Sequence, residues 1–218
     1  MTSREPTKTV ANVTISPPDM RTAAVTLIGT APLVVNRFSA KAMETMVEKQ
    51  KAGSTSAKGK ARAAKDFDAA MEGARHRSAE GWDGIHAGAF RNALISACRL
   101  VAFKMTLAKL SIFIVADGID IVDGTPLVRI HAGDPETSIL PVRNSSGVID
   151  IRPRPMWREW TVDLRVRFDA GQFTLSDVVN LLTRVGEQVG IGEGRADSKS
   201  SAGVGWGHFR VEQKETAE

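Results

Sequence analysis

Trp160–Val189 reads WTVDLRVRFDAGQFTLSDVVNLLTRVGEQV, and the fold is decided there. Trp160, Val162, Leu164, Val166 and Phe168 alternate with Thr161, Asp163, Arg165 and Arg167, the period of two that marks a strand with one buried face. Thr174-Leu-Ser-Asp177 then forms a capping box, in which a hydroxyl and a carboxylate satisfy the first free N–H groups of a helix. Leu175, Val178, Val179, Leu182, Val185 and Val189 define the apolar side of that helix. Next comes a glycine-rich stretch, Gly186–Gly207, GEQVGIGEGRADSKSSAGVGWG. The chain then closes with a strand over Gly205–Val211, placing Phe209 and Val211 inward and Trp206, His208 and Arg210 outward.

The order helix, glycine loop, strand runs opposite to a dinucleotide fingerprint, which follows a strand and opens a helix. Glycine loses more chain entropy on folding than any other residue, so such a density implies sharp turns or a close backbone approach.

Working back toward the N-terminus, Arg21–Val35 (RTAAVTLIGTAPLVV) reads as a strand that bends near Gly29 and Pro32. Phe90, Leu94, Ala97 and Val101 share one face of a helix expected over Ile85–Met105, with Arg91, Ser96, Arg99 and Lys104 off that stripe. Leu110–Ala116 (LSIFIVA) is a short apolar run, as in a strand covered on both faces. The skeleton is strand, helix, strand, strand, helix, strand. That is an α+β class with the split βαβ order of ferredoxin-like and RRM-like folds. Two insertions interrupt it, 36–84 and 117–159. In the second, strand-like pieces at Leu127–Ile130 and Gly147–Ile151 suggest a hairpin arm. Residues 1–20 read as a flexible arm, 21–211 as one domain and 212–218 as a disordered tail.

At 218 residues and 42% hydrophobic, the chain is long enough for one sizeable core, and no apolar run approaches a membrane span. The N-terminus lacks a secretory h-region, and the single cysteine, Cys98, sits on an apolar helix face where packing is its expected role. A cytoplasmic location is expected. The net charge of +4 permits a polyanionic partner. Basic residues concentrate in two places: around Lys58, Lys60 and Arg62, and in an arginine-only run that includes Arg152 and Arg154. Arginine forks suit phosphate, although either cluster reads equally as a solvated surface.

The four histidines are scattered without metal-ligand spacing, and neither a nucleophile elbow nor a Walker loop is present. Asp66 and Asp68 on an Ala-rich helical run read as a solvated face. No catalytic residue, metal or cofactor is expected. His86 either caps the first helix, faces phosphate or is structural. The chain has no tyrosine, which argues against a multi-aromatic stacking platform. Phe38, Trp82, Trp157 and Trp206 are available as stacking or wedge residues, or as core. Backbone contact without sequence readout is therefore the expected mode for a single-stranded partner.

Three segments resemble the RAMP superfamily, and within it the backbone subunits that coat guide RNA in CRISPR effector complexes. VTLIGTAPLVVNRFS is similar to the family's opening strand and loop. Ile85-His-Ala-Gly-Ala-Phe-Arg91-Asn-Ala-Leu is similar to its first-helix opening, with His86 in place of the usual proline. Gly190-Ile-Gly-Glu-Gly-Arg195 through Gly203-Val-Gly-Trp-Gly-His-Phe209 is similar to its glycine-rich loop and closing strand.

The resemblance implies a ferredoxin-like palm, with the insertions as fingers and a thumb-like arm. It gives phosphate roles to Arg37, to Arg91 on the first helix, and to the loop holding Gly192, Gly194 and Arg195; Arg99, off the apolar stripe of the same helix, is a further nucleic-acid-binding candidate. It makes the 117–159 arm, with Arg152, Arg154 and Trp157, the thumb that wedges between bases. Some members cut target RNA with an aspartate after the first strand. Here that loop reads Asn36-Arg37-Phe38-Ser39, so no nuclease activity is expected.

The expectation is a non-catalytic, sequence-independent single-stranded nucleic-acid-binding protein, assembling head to tail along RNA in a CRISPR-type complex beside other effector subunits. The alternative is a phage or prophage single-stranded DNA-binding or annealing protein of the same fold. A capsid-like assembly protein and an RNA-processing endonuclease are weaker readings. No membrane partner is expected.

Overall fold

The computed structural model describes residues 15–37, 48, 66–143, 149–198 and 203–212. They form an α+β fold of antiparallel sheets and four α-helices. The central sheet holds β1 (Met20–Gly29), β5 (Ile112–Val115), β10 (Thr161–Asp169) and β11 (Phe209–Glu212), in the order β11-β1-β10-β5. Every neighbouring pair is antiparallel, and β1 runs along β10 from Met20↔Asp169 to Ile28↔Thr161.

The period of two in β10 is what fixes this sheet. Val162, Leu164, Val166 and Phe168 are buried, and they join Ala23, Leu27, Ile112 and Phe209 on the covered face. Two helices supply the other half of the core. Helix α2 (Ala87–Ala97) contributes Phe90, Leu94 and Ala97, and α4 (Leu175–Arg184) contributes Val178, Leu181 and Leu182. The capping box is formed as expected: Thr174 Oγ1 accepts from Asp177 N at 3.1 Å, and Thr174 N donates to Asp177 Oδ2 at 2.8 Å. The Thr174 hydroxyl, which donates to Asp177 Oδ2 at 2.7 Å, and after it the Thr174 N–H hold the Asp177 carboxyl below its ordinary range. A π turn, Val185–Val189, extends α4 into the glycine loop.

The first helix is shorter than its apolar spacing predicts. Ile85 and His86 belong to β4 (Asp83–His86), which pairs with β7 (Pro126–Arg129). After Ala97 the chain tightens into a 3-10 turn, Cys98–Val101, that ends at Ala102 in the left-handed region. Val101 therefore leaves the stripe and is exposed, and the continuation is a separate helix, α3 (Met105–Ser111). Cys98 is buried.

The arm is also built differently. Leu127–Ile130 does not belong to it. That segment lies in a second four-stranded sheet, β3-β4-β7-β6, with β3 at His76–Arg77 and β6 at Gly118–Ile119. This sheet joins the end of the first insertion to the start of the second. The hairpin is β8 (Glu136–Arg143) with β9 (Ile149–Trp157), and its base pairs with β2 (Leu33–Val34). Prolines hide the strand pattern of β9. Pro155 O accepts from Val35 N at 3.2 Å, so its ring nitrogen also faces the β2 side, where the ladder is short and needs no donor. A short helix, α1 (Phe67–Glu72), precedes β3.

Candidate nucleic-acid interface

A cleft of about 460 Å³ opens where three distant segments meet: Val35 and Asn36 after β2, the start of α2, and the loop from Val189 to Asp197. Backbone bonds hold the loop in place. Glu193 N donates to Val34 O at 2.8 Å, Ile191 N to Gly207 O at 3.1 Å, and Gly207 N to Pro32 O at 2.8 Å. Two glycines permit this. Gly192 has φ +74°, and a Cβ there would run into Val34 O; Gly207 has φ +69°, and a Cβ would run into Ile191 O.

One wall carries two histidines. His76 is buried, and its Nδ1 lies 2.7 Å from Asp120 Oδ2. Asp120 also accepts from Val122 N at 2.8 Å and has Arg37 Nη1 at 3.6 Å. His86 stands at the head of α2 without a side-chain cap bond. Burial first, then the neighbouring His76, lowers its pKa.

Glu193, Arg195 and Asp197 also line the cleft, and arginines beside it face the two acids. Arg154 on β9 donates from Nε to Glu193 Oε2 at 2.9 Å, which ties the arm to the loop. Arg99 reaches Asp197 Oδ1 at 2.7 Å, while Ser96 donates a short hydrogen bond to the other oxygen of Asp197. The Ser96 bond, and after it Arg99, hold the Asp197 carboxyl below its ordinary range. Arg195 Nη1 donates to Gly192 O at 2.9 Å.

Of the residues singled out from sequence, Gly192, Arg195, Arg99 and Arg154 meet at or beside this cleft, and Gly194 follows in the same loop. Arg37 and Arg91 turn elsewhere. Arg37 donates from Nε and Nη2 to Gly73 O at 3.3 and 3.2 Å, with its side chain only 10% exposed. Arg91 donates from Nε to Ile112 O at 3.0 Å and from Nη2 to Lys109 O, and stacks 5.2 Å from the Phe113 ring centre. Trp157 is buried with its indole N–H on Gly133 O at 3.0 Å, so its ring is in the core and offers no free face to a base. Arg152 is half-buried on β9. Phe38, Lys58, Lys60 and Arg62 lie outside the described residues.

The sequence reading missed His76, Asp120, Glu193 and Asp197 as partners. His76 sits on a two-residue strand and Asp120 at an isolated bridge to Ser78, 44 positions from His76, so no periodicity links them. Among the described residues, no group of three or more His, Cys, Asp or Glu is placed to hold a metal ion, and no helix is long and apolar enough to cross a membrane. A second cavity, about 590 Å³, lies against α4 near Phe103, Phe173 and Arg184, away from all three converging segments. No protein-family model matches the chain, and no curated protein matches it.

Proposed function

We propose that the protein binds single-stranded nucleic acid without sequence preference, as a non-catalytic unit that assembles head to tail along RNA in a CRISPR-type effector complex. The observation that carries this reading is the convergence at one cleft of three segments that resemble RAMP backbone subunits. They are separated by roughly 50 and 100 positions in the chain yet share one wall-to-wall cavity with arginines at its rim. The strand order β11-β1-β10-β5, antiparallel throughout and with α2 and α4 on one face, also supports a ferredoxin-like palm. The β8–β9 hairpin then takes the thumb-like part that reaches the next subunit, a heterologous contact.

The test is purification of the full chain, with and without nuclease treatment, followed by sequencing of any co-purifying strand. A discrete small RNA with repeat-derived ends is the expected result. Random fragments with tighter binding to added single-stranded DNA would move the assignment to a DNA-coating protein. The absence of bound strand together with no salt-dependent affinity would overturn both.

One observation favours a second reading, RNA cleavage. His76 and His86 line the same cleft, and Asp120 orients the first of them, an arrangement suited to general acid–base chemistry. Incubation of labelled RNA with the protein and a chelator, alongside His76→Ala, separates the two: cleavage lost in the variant would identify a nuclease.

A further inference from the structure

We propose that Glu193 is an internal stand-in for a phosphate of the bound strand, occupying Arg154 until a phosphodiester takes its place. This inference rests on the nucleic-acid reading above and concerns how that same cleft is regulated. Glu193 lies on the cleft, and its backbone is fixed by the bond from its N–H to Val34 O at 2.8 Å. Among the described residues its side chain has one polar partner, Arg154 Nε at 2.9 Å. Arg154 itself is only partly used: Nη1 donates to its neighbour Pro153 O at 3.2 Å, and Nη2 makes no hydrogen bond among the described residues. A guanidinium fork with one edge resting on a single carboxylate oxygen matches the geometry that a phosphate takes in both its oxygens.

The second acid of the loop behaves differently, and the contrast selects Glu193. Asp197 uses both oxygens, one on Ser96 and one on Arg99, and its N–H donates to Val189 O at 3.1 Å. It is a latch that closes the loop onto α2. Glu193 has a longer side chain, 29% exposed, held among the described residues by Arg154. An incoming phosphate exchanges one charge-assisted bond of Arg154 for another, and the released carboxylate swings to water. Because Arg154 belongs to the arm and Glu193 to the loop, the exchange also uncouples the two.

The experiment measures binding of the full chain to a fluorescein-labelled oligouridylate of about 30 nucleotides, long enough for several contacts, by anisotropy over a salt series; oligothymidylate runs in parallel. Glu193→Gln is expected to tighten binding about three- to tenfold at low salt. The salt slope is expected to steepen by about one unit, since the protein no longer carries a carboxylate that must recruit its own cation. Arg154→Ala should weaken binding, and adding Glu193→Gln to it should bring little gain. Should the glutamine variant melt early, Glu193→Ser carries the same expectation. Unchanged or weaker binding by both Glu193 variants overturns the inference, as does an equal gain with and without Arg154, which would indicate general repulsion. Failure of the unaltered chain to bind either oligonucleotide overturns the nucleic-acid reading itself and this inference with it.

Discussion

Asp120→Ala is expected to cost far more stability than its place at an isolated bridge beside a turn suggests. The Asp120 side chain is fully buried, and three groups converge on it: His76 Nδ1 at 2.7 Å, Val122 N at 2.8 Å and Arg37 Nη1 at 3.6 Å. Truncation leaves Arg37, whose side chain is 10% exposed, without its nearby carboxylate, and leaves the Val122 N–H without an acceptor. Removing one partner of a buried ion pair costs about 3–5 kcal/mol, a large part of the roughly 5–15 kcal/mol that holds a typical domain. For a chain of this size each kcal/mol shifts the melting temperature by about 2–4 °C, so a fall of about 6–20 °C is expected in a thermal melt followed by circular dichroism. Arg37→Met should lose less alone, because Gly73 is half-buried and its carbonyl can take water in place of the guanidinium, while Asp120 keeps His76 and the Val122 N–H. In the double variant the Arg37 change should recover part of the Asp120 loss, since no uncompensated cation is left inside. A melting temperature within about 2 °C of the unaltered chain for Asp120→Ala would refute the claim that this cluster is a buried, coupled network.

Other expectations follow from the same geometry. Gly207→Ala forces a Cβ into Ile191 O at φ +69°, and urea titration should show a loss of about 3 kcal/mol or more, or no folded protein at all. Arg91→Ala removes bonds to Ile112 O and Lys109 O, so the melting temperature should fall while strand affinity per folded molecule is retained; a uniform affinity loss without destabilisation would restore Arg91 as a phosphate contact. The Asp197 carboxyl titrates below its ordinary 3.8 in the folded chain, so its contribution is present above that pH and is lost as pH falls through the folded value; Asp197→Asn should flatten the acid limb of a stability–pH curve in that window. His86 has its pKa lowered from 6.5 by burial, so the folded state resists its protonation and stability falls as pH drops below 6.5; His86→Gln should remove that part of the decline.

The elements that form the central sheet were legible because their patterns are local. The alternation from Val162 to Phe168 and the Thr174–Asp177 capping box announce themselves within a few residues, and both are formed. The break after Ala97 was not legible, because no glycine or proline marks it; Ala102 adopts φ +54° under tertiary constraint alone. Nor was the β3-β4-β7-β6 sheet, whose strands are two to four residues long and come from both insertions. The arginines were found as residue types suited to phosphate. Their partners, and that of His76, were not, because Asp120, Glu193 and Asp197 are defined by contacts made across 44, 39 and 98 positions.

The glycine loop changes meaning once its donors are followed. Read from sequence, its backbone N–H groups are a ready cradle for phosphate oxygens. In the folded chain the N–H groups of Gly190, Ile191, Glu193, Asp197, Val204, Trp206 and Gly207 all donate to carbonyls of the protein. The positive φ values at Gly190, Gly192, Gly194, Gly203 and Gly207 therefore serve close packing of one loop strand against another and against β2. A ligand in the adjoining cleft is therefore left few of these loop donors, and the arginines at or beside the cleft, Arg154, Arg195 and Arg99, are each already engaged within the protein. Under the proposed function such a site would act as one of many modest contacts that sum along a strand, with no single one dominating. It follows that a glycine-loop substitution should act through folding and an arginine substitution through affinity. If Gly192→Ala instead yields a fully stable chain with weakened strand binding, the backbone does meet the ligand and the division of labour argued from these bonds is wrong.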